Sequence, residues 1–553
     1  MSGETIGGLL ERVARERPGD VAVADGDTVL TTAELAARTR AAAQALIACG
    51  VGKGTAVAIW APNGWPWMVA ALGAHTLGAV VVPINTRYKG IEAAHVLERS
   101  QARVLITVDG FLGARYPTML RDAGVRLPGL ESPSSGLRPL EPGPNQYLGT
   151  IVVAPSPVVP GGAGTDGPAP AGTLAWSDFL AAGARVAPAE IDRLAAAVTP
   201  DDVGDIMFTS GTTGRPKAVP ATHAQSLRVF ADWGSLVGLR RGDRYLVVAP
   251  FFHTFGYKAG WLAALQVGAV VHPLPVFDVE QVMARIAAER ITVIPGPPTL
   301  YMSLLNHPGR ATADLSSLRL AVTGAANVPV ELVRRMRSDL GFDTVLTGYG
   351  LTETTGCATL CRDGDDAETV ATTAGRAMPG VEVAIVDDAG QPLSAGQHGE
   401  VVVRGYNVMR GYVDDPAATA ETIDRDGWLR TGDIGVLDAR GYLRITDRKK
   451  DMFIVGGFNA YPAEIEGVLL HHPGVGQVAV VGAPDDRLGE VGVAFIIPRP
   501  GTAPTEPDLV SWSRERMANF KVPRRFVIVE TLPLNASGKV LKAELRERAG
   551  ALR

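Results

Sequence analysis

The segment TSGTTGRPK, residues 209–217, has the composition of a phosphate-binding loop and directly follows the apolar run VGDIMF. Glycine lets the backbone approach an anion closely, and Ser or Thr hydroxyls together with backbone N–H groups bind phosphate oxygens. Lys217 adds a positive charge. The spacing is not that of the common P-loop, because Ala218 stands where Ser or Thr would follow the lysine. A phosphate site is predicted here, with a flexible polar loop as the alternative.

Two further polar turns, YGLTE and RTGDIG, follow or join predicted strands. In the first, Tyr349, Thr352 and Glu353 could stack a base, contact a phosphate and ligate Mg2+. A polar turn at a strand end would account for them equally well. In the second, Asp433 has the usual interpretation of an Asx-turn residue. A carboxylate that accepts ribose hydroxyls is the functional alternative.

Three other segments contain single residues of interest. The segment at 446–466 joins a charged junction to a Gly-Gly turn, and 532–540 places Lys539 after a glycine. A solvated linker and an ordinary surface lysine are the simpler interpretations. His253 lies in the apolar and aromatic run FFHTFGYKAG, where a lone histidine is usually a core residue with its hydrogen bonds satisfied.

The elements that must position these residues read as an α/β fold. Val- and Ile-rich runs with little polar alternation recur between stretches of helical periodicity, as in a mainly parallel sheet covered by helices. The predicted strands are 55–60, 79–84, 103–108, 244–250, 291–295, 318–324 and 343–347.

The pattern of predicted strands and helices divides the chain into a large N-terminal domain, 1–447, and a small α+β C-terminal domain, 448–553. The first contains a Pro- and Gly-rich stretch at 131–175, which reads as a surface insertion. It ends in short strands and turns at 381–447, which predict a small β-rich subdomain.

Composition excludes several classes of protein. A chain of 553 residues is too long to fold around a single hydrophobic core, so we expect at least two domains. Its content of 46% hydrophobic and 20% charged residues is ordinary for a globular protein. A net charge of -5 without a basic run argues against a nucleic-acid partner. Neither a signal peptide nor an apolar run of membrane-spanning length is evident, and the three cysteines form no metal or disulfide pattern, so we expect a cytoplasmic protein.

Taken in order, TSGTTGRPK, YGLTE, TGD, DRKKD with GGFN, and NASGK resemble the motifs of the adenylate-forming superfamily. This superfamily contains acyl-CoA synthetases, peptide-synthetase adenylation domains and firefly-type luciferases. The resemblance spans the chain apart from 131–175. The segments 251–260, 291–309 and 451–464 are also similar to actinobacterial acyl-CoA ligases, in particular those that activate an indane-propanoate from sterol catabolism.

The resemblance implies ATP, Mg2+ and coenzyme A as cosubstrates and cofactor, a small carboxylic acid as substrate, and a role for each motif residue. Lys539 would bridge the attacking carboxylate and the α-phosphate, and Glu353 would bind Mg2+. His253 would be an aromatic gate beside an acyl pocket that includes Phe255 and Ala259. The implied nucleotide site consists of Thr209, Ser210, Gly211, Thr212, Thr213, Gly214, Lys217, Gly324, Ala325, Ala326, Tyr349, Thr352, Asp433 and Arg448.

The resemblance further implies a C-terminal domain that rotates about a hinge at Lys450 between two half-reactions. In one orientation Lys539 reaches ATP; in the other a thiol tunnel forms. The tunnel residues would be Gly456, Gly457, Phe458 and Asn459.

Two departures and several alternatives accompany this interpretation. Ala218 replaces the family's usual glycine, which would strain the loop if that position needs a positive φ. The 131–175 stretch is long for such a chain and could cap the acyl pocket. Loading of a carrier-protein phosphopantetheine is an alternative to a coenzyme A acceptor. Luciferase chemistry and the oligomeric state stay open, while a non-catalytic sensor is disfavoured because Lys539, Glu353 and Asp433 are all present.

Overall fold

The structure is a computed structural model that describes residues 3–125, 148–156, 169–209, 216–324, 328–448, 451–455, 458–485, 487–517, 519–534 and 540–552. Its strands are β1 (Val21–Asp25), β2 (Thr28–Thr31), β3 (Ala56–Trp60), β4 (Val80–Pro83), β5 (Val104–Thr107), β6 (Thr150–Val153), β7 (Leu174–Ala175), β8 (Val203–Thr209), β9 (Lys217–Thr222), β10 (Arg244–Val247), β11 (Val270–Pro273), β12 (Leu320–Thr323), β13 (Thr344–Tyr349), β14 (Thr359–Leu360), β15 (Arg376–Ala377), β16 (Val381–Val386), β17 (Gly399–Gly405), β18 (Leu429–Leu437), β19 (Leu443–Arg448), β20 (Phe453–Val455), β21 (Phe458–Ala460), β22 (Val475–Asp485), β23 (Gly489–Pro498) and β24 (Arg525–Ile528).

The α-helices surround these strands, and a π-helix, Phe255–Leu262, precedes α9. The α-helices are α1 (Ile6–Glu16), α2 (Thr32–Ala48), α3 (Trp65–Thr76), α4 (Gly90–Ser100), α5 (Tyr116–Asp122), α6 (Trp176–Gly183), α7 (Pro188–Ala195), α8 (His223–Val237), α9 (Ala263–Val267), α10 (Val279–Glu289), α11 (Pro298–Asn306), α12 (Val330–Ser338), α13 (Ala367–Thr372), α14 (Pro416–Thr422), α15 (Pro462–Leu469), α16 (Glu506–Arg514) and α17 (Lys542–Ala551).

The largest sheet confirms the α/β expectation. Its strand order is β7-β6-β5-β3-β4-β8-β9, and every pair except β8 with β9 is parallel. Strands β3, β4 and β5 are buried along their whole length. This two-sided burial explains why their sequences are apolar runs rather than alternating ones.

The stretch 131–175 differs from a plain surface loop in the part that the structure describes. Residues Thr150–Val153 run parallel to β5, and Leu174–Ala175 pair with them as the outermost strand. The sequence signal was hidden because these strands are short and Pro- and Gly-rich segments enclose them.

Two further sheets, β10-β11-β1-β2 and β12-β13-β14-β15, join through Val293. The predicted strand at 291–295 is reduced there to single parallel bridges from Val293 to Tyr245 and to Leu320. Pro295 follows two residues later and has no N–H with which to extend a ladder.

The last part of the chain forms a β subdomain and a separate C-terminal unit. Strands β16 to β19 make an antiparallel sheet, as predicted for 381–447. The C-terminal strands form their own sheet, in order β21-β20-β23-β22 with β24 parallel to β23. Buried clusters around Phe453 and Val481 give this unit a core of its own, as a domain requires. Among the described helices, none is long and apolar enough to cross a membrane.

Candidate active site

The β8–β9 hairpin brings the two ends of the phosphate-loop segment together. Thr209 pairs with Lys217 across the strands, and its hydroxyl donates to the Lys217 carbonyl at 3.5 Å. The intervening residues Ser210, Gly211, Thr212, Thr213 and Gly214 lie outside the described residues. Ala218 pairs with Phe208 in regular antiparallel register and is not among the residues with positive φ. The strain expected from an alanine at this position is therefore absent.

The YGLTE segment leaves the end of β13 in a tight turn. Only glycine fits at position 350, because a Cβ there would lie 2.4 Å from the carbonyl oxygen of Gly356. A 3-10 turn over Thr352–Thr354 follows and leaves the Thr352 and Glu353 side chains partly exposed. Gly324, at the end of β12, lies beside the same strand, since a Cβ on it would stand 3.3 Å from the Gly348 carbonyl oxygen. Ala325 and Ala326 lie outside the described residues.

Tyr349 and Asp433 meet although 84 residues separate them. The Tyr349 hydroxyl donates to Oδ2 of Asp433 at 2.6 Å, and the Asp433 side chain is buried. On the neighbouring strand, Arg448 is the backbone partner of Asp433. The geometry therefore brings an aromatic ring and a carboxylate from two predicted nucleotide motifs into direct contact.

A second bridge joins Lys217 to Glu353 through Tyr412. The Lys217 Nζ lies 4.6 Å from the centroid of the Tyr412 ring, within the range of a cation–π contact. The Tyr412 hydroxyl donates to Oε1 of Glu353 at 3.0 Å. Burial and the nearby Glu353 carboxylate raise the pKa of Tyr412, so the hydroxyl keeps its proton.

Tyr412 was not predicted from sequence. It lies in NVMRGYVDDP, where a tyrosine after a glycine has nothing to distinguish it from an ordinary loop aromatic. Its role depends on two contacts with residues that are distant in sequence, and no local pattern encodes such contacts.

His253 begins the segment that leads into the π-helix and is exposed. The Phe255 N–H donates to its Nδ1 at 3.2 Å. Ala259 is buried, and its carbonyl accepts from the Tyr245 hydroxyl at 3.1 Å, which holds the π-helix against β10. π-Helical turns are rare and often accompany functional sites.

Asn63 fixes the loop that precedes His253. Its amide donates to the carbonyls of Val247, Ala249 and Leu274, and its carbonyl accepts from Phe251 N–H at 2.7 Å. A cleft of about 220 Å³ adjoins this loop and is lined by apolar side chains together with Asn63, Thr86 and Arg87. Its lining includes Val248, Pro250, Phe252, Pro275, Val276 and Phe277.

The predicted gate also approaches the YGLTE turn. A Cβ on Gly356 would lie 2.2 Å from Cγ2 of Thr254, the residue after His253, so only glycine fits there. From the sequence, Lys258 in the same run could be either a pocket cation or a residue that extends to solvent, and the structure supports neither. It is buried and pairs with Asp205 of β8 at 2.9 Å.

The structure describes the C-terminal candidates only in part. Phe458 and Asn459 belong to β21 and pair with Val455 and Ile454 of β20. Leu534 and Val540, which flank the segment of Lys539, form an antiparallel bridge with each other. Lys450, Gly456, Gly457 and Lys539 lie outside the described residues.

The described residues suit a magnesium ion bound together with a nucleotide. They contain no group of three or more His, Cys, Asp or Glu side chains that could form a protein-only metal site. Mg2+ is usually held by one or two carboxylates plus substrate phosphates. Glu353, partly exposed and already oriented by one hydrogen bond, is a carboxylate of that kind.

Comparison with known proteins is consistent with this geometry. The family model of the AMP-binding enzymes matches residues 10–413, and that of the AMP-binding enzyme C-terminal domain matches 464–539. The chain is 50% identical over 543 residues, 98% of each chain, to methyl-dioxo-octahydro-indenyl-propanoyl:CoA ligases of Rhodococcus jostii and of Mycobacterium tuberculosis. Among solved structures, ATP-bound MatB from Rhodopseudomonas palustris has a TM-score of 0.82 at 28% identity and 99% coverage of both chains.

The chain therefore belongs to the AMP-binding enzyme family and has the adenylate-forming fold. By class it is an ATP-dependent, AMP-forming acid–thiol ligase of the acyl-CoA synthetase type.

Proposed function

We propose that this acyl-CoA synthetase activates a bicyclic, sterol-derived indane-propanoate and transfers the acyl group to coenzyme A. Two relatives that are indane-propanoate CoA ligases, each 50% identical along 98% of the chain, support this acid. The observation that carries the activation step is the meeting of the predicted nucleotide motifs, through Tyr349 with Asp433 and through Lys217, Tyr412 and Glu353.

Activation makes a poor electrophile reactive. A carboxylate oxygen attacks the α-phosphorus of ATP, pyrophosphate leaves, and the thiol then displaces AMP from the acyl carbon. The protein's contribution is positioning and neutralisation of phosphate charge. In this proposal Lys217 and Thr209 hold the outer phosphates, with Ser210, Gly211, Thr212, Thr213 and Gly214 of the same loop.

The nucleoside would bind at the ends of β12, β13 and β18. Tyr349 would pack on adenine, beside Gly324, Ala325 and Ala326. Asp433 would accept the ribose hydroxyls, assisted by Arg448, and Thr352 would contact the α-phosphate. Glu353 would hold Mg2+, which when bound supplies charge neutralisation at the phosphates.

The acyl group would enter on the side of the FFH segment. His253, Phe255 and Ala259 are the proposed acyl-side residues, and the neighbouring surfaces of Phe252 and Val276 are apolar. A fused bicyclic acid presents mainly apolar surface, which such surroundings favour. Ketone groups on the ring would require polar partners.

The thioester step would belong to the C-terminal domain. Lys539 would bridge carboxylate and α-phosphate in the first half-reaction. After rotation about Lys450, Gly456, Gly457, Phe458 and Asn459 would line the thiol path. Hinged closures of this kind often limit turnover.

The proposed substrate is tested by kcat/KM for AMP release across a set of acids with ATP, Mg2+ and coenzyme A. The set contains the indane-propanoate, an indane-propanoate without the ring ketones, medium-chain fatty acids and ferulate, with Lys539→Ala as the inactive control. A preference of at least about 100-fold for the oxidised bicyclic acid is expected, because unpaired polar groups in the site reject analogues that lack the matching group.

A higher kcat/KM for a linear or aryl acid would contradict the proposed substrate while leaving the ligase class intact. Pyrophosphate release without any thioester to free coenzyme A would instead point to a carrier-protein acceptor.

A further inference from the structure

Tyr412 lies between the two charged residues that are proposed to contact ATP. Its ring faces the Lys217 ammonium group and its hydroxyl faces the Glu353 carboxylate. The segment around it is attached to both motifs through the backbone. Met409 N–H donates to the Glu353 carbonyl at 2.8 Å, and Val413 N–H donates to the Ala218 carbonyl at 3.0 Å.

The contact with Glu353 uses one carboxylate oxygen, Oε1. Oε2 takes no part in that contact. Carboxylates that ligate metal ions are commonly held by a further hydrogen bond, and loss of that bond lowers metal affinity or activity about 10- to 100-fold.

The contact with Lys217 has a different chemistry. A ring face attracts the ammonium group without consuming its hydrogen-bond donors, so these remain for phosphate oxygens. The two contacts can therefore be removed separately, the first by Tyr412→Phe and both by Tyr412→Leu.

We propose that Tyr412 is a positioning residue for ATP activation, holding the Glu353 carboxylate toward a divalent cation and the Lys217 ammonium group toward the phosphates. The inference rests on the proposed nucleotide site. It does not depend on which acid the enzyme activates.

The chain contains a matched control in Tyr406. Its hydroxyl donates to Oδ2 of Asp232 at 2.6 Å, and the Arg228 guanidinium lies 3.7 Å from its ring centroid. Tyr406 thus has the same two kinds of contact as Tyr412, but with partners outside the candidate site. Tyr406→Phe should cost similar stability and leave nucleotide binding unchanged.

The decisive quantity, here called the Mg2+ factor, is the Kd for ATP without Mg2+ divided by the Kd for ATP with saturating Mg2+. It is obtained by calorimetric titration of ATP with EDTA and with excess Mg2+, in the absence of any acid. We expect Tyr412→Phe to reduce this factor about 10- to 100-fold and to leave metal-free ATP binding unchanged. Tyr412→Leu should also weaken metal-free ATP binding, by about 2- to 5-fold.

Glu353→Gln provides the second test. If Tyr412 acts through the carboxylate, Tyr412→Phe should change the Mg2+ factor little in the Glu353→Gln background, since coupled residues are not additive. An unchanged Mg2+ factor in Tyr412→Phe, an equal loss in Tyr406→Phe, or additive losses with Glu353→Gln would overturn the proposal. A wild-type enzyme that binds no ATP would instead refute the nucleotide site itself.

Discussion

At the scale of single residues, the contact between Tyr349 and Asp433 explains how two weak sequence signals belong to one site. Each turn alone had an adequate structural explanation. The hydrogen bond of 2.6 Å between them, with the Asp433 carboxylate buried, gives that carboxylate a defined orientation before any nucleotide binds. A preoriented acceptor is what recognition of two neighbouring hydroxyls requires.

Replacing Asp433 by Asn should weaken ATP binding. The substitution keeps the shape but removes the charge from the proposed bonds to the ribose, and such charge-assisted bonds contribute about 1.5–3 kcal/mol. We expect KM for ATP to rise about 10- to 100-fold in pyrophosphate exchange, with a smaller change in KM for the acid.

Tyr349→Phe is the companion variant, since it removes only the hydroxyl that orients Asp433. Its effect on KM for ATP should be several-fold smaller than that of Asp433→Asn. Equal KM values for ATP in the wild type and Asp433→Asn would exclude a ribose contact.

The residues of the nucleotide motifs could be singled out from sequence because their order along the chain resembles a known family. Their partners could not. Tyr412 and Asp205 act through side chains that meet only in the folded chain, and Lys258 could not be assigned from an apolar run. The roles of all the predicted site residues remain predictions, and Lys450, Gly456 and Lys539 also lie outside the described residues.

At the scale of elements, the pair Lys258–Asp205 joins the π-helix to β8, the strand that ends at the phosphate-loop segment. Both side chains are buried, at 1% and 0% exposure, with the ammonium nitrogen 2.9 Å from Oδ1. Burial raises the pKa of Asp205, and the charge of Lys258 opposes that shift.

Lys258→Met should destabilise the protein by about 3–5 kcal/mol, because it leaves a buried carboxylate without its counterion. The free energy of unfolding in urea measures this cost. Arg410→Met serves as the control, since its pair with Asp201 is exposed and should contribute less than about 1 kcal/mol.

The double variant Asp205→Asn with Lys258→Met should recover part of the lost stability, because no charge is then left buried. A single variant Lys258→Met that is as stable as the wild type would show that the pair does not hold β8 to the π-helix.

His223, at the start of α8, should make stability depend on pH. It is buried near His75, Asp202, Lys53 and Lys258, and burial lowers its pKa to about 4. Because the folded-state pKa lies below the unfolded value of about 6.5, the unfolded chain binds more protons between these values. Stability should therefore decrease as pH falls from about 6.5 to about 4.

His223→Gln should flatten that decrease, while His75 retains its own contribution, since burial also lowers its pKa. The measurement is the urea midpoint of unfolding of the wild type and of His223→Gln at several pH values between about 6.5 and about 4. Parallel pH profiles for the wild type and His223→Gln would contradict the assignment.

Hydrophobic periodicity was sufficient to predict the long buried strands and helices from sequence. It was insufficient to predict the short pairings at the margins of the sheets. Strands β3, β4 and β5 are apolar on both faces, and that pattern is visible in sequence. Strand β7 has only two residues, and Val293 pairs through isolated bridges. Such short pairings depend on neighbours that local sequence does not encode.

At the scale of the whole molecule, the C-terminal unit has its own core and contacts the β subdomain through described residues. Helix α15 packs on β19, and the rings of His398 and Tyr461 stack with centroids 6.2 Å apart. A unit with an independent core can change orientation without unfolding. The proposed division of labour between two half-reactions requires such a change.

The most direct test of adenylation followed by thioester formation follows the oxygen atoms of the acid. The indane-propanoate, labelled with 18O in both carboxylate oxygens, is converted with ATP, Mg2+ and coenzyme A. The 18O content of each product is then measured by mass spectrometry. Attack on the α-phosphorus predicts one 18O in AMP and the other in the thioester carbonyl. Unlabelled AMP, or 18O in inorganic phosphate with ADP as the nucleotide product, would contradict the account.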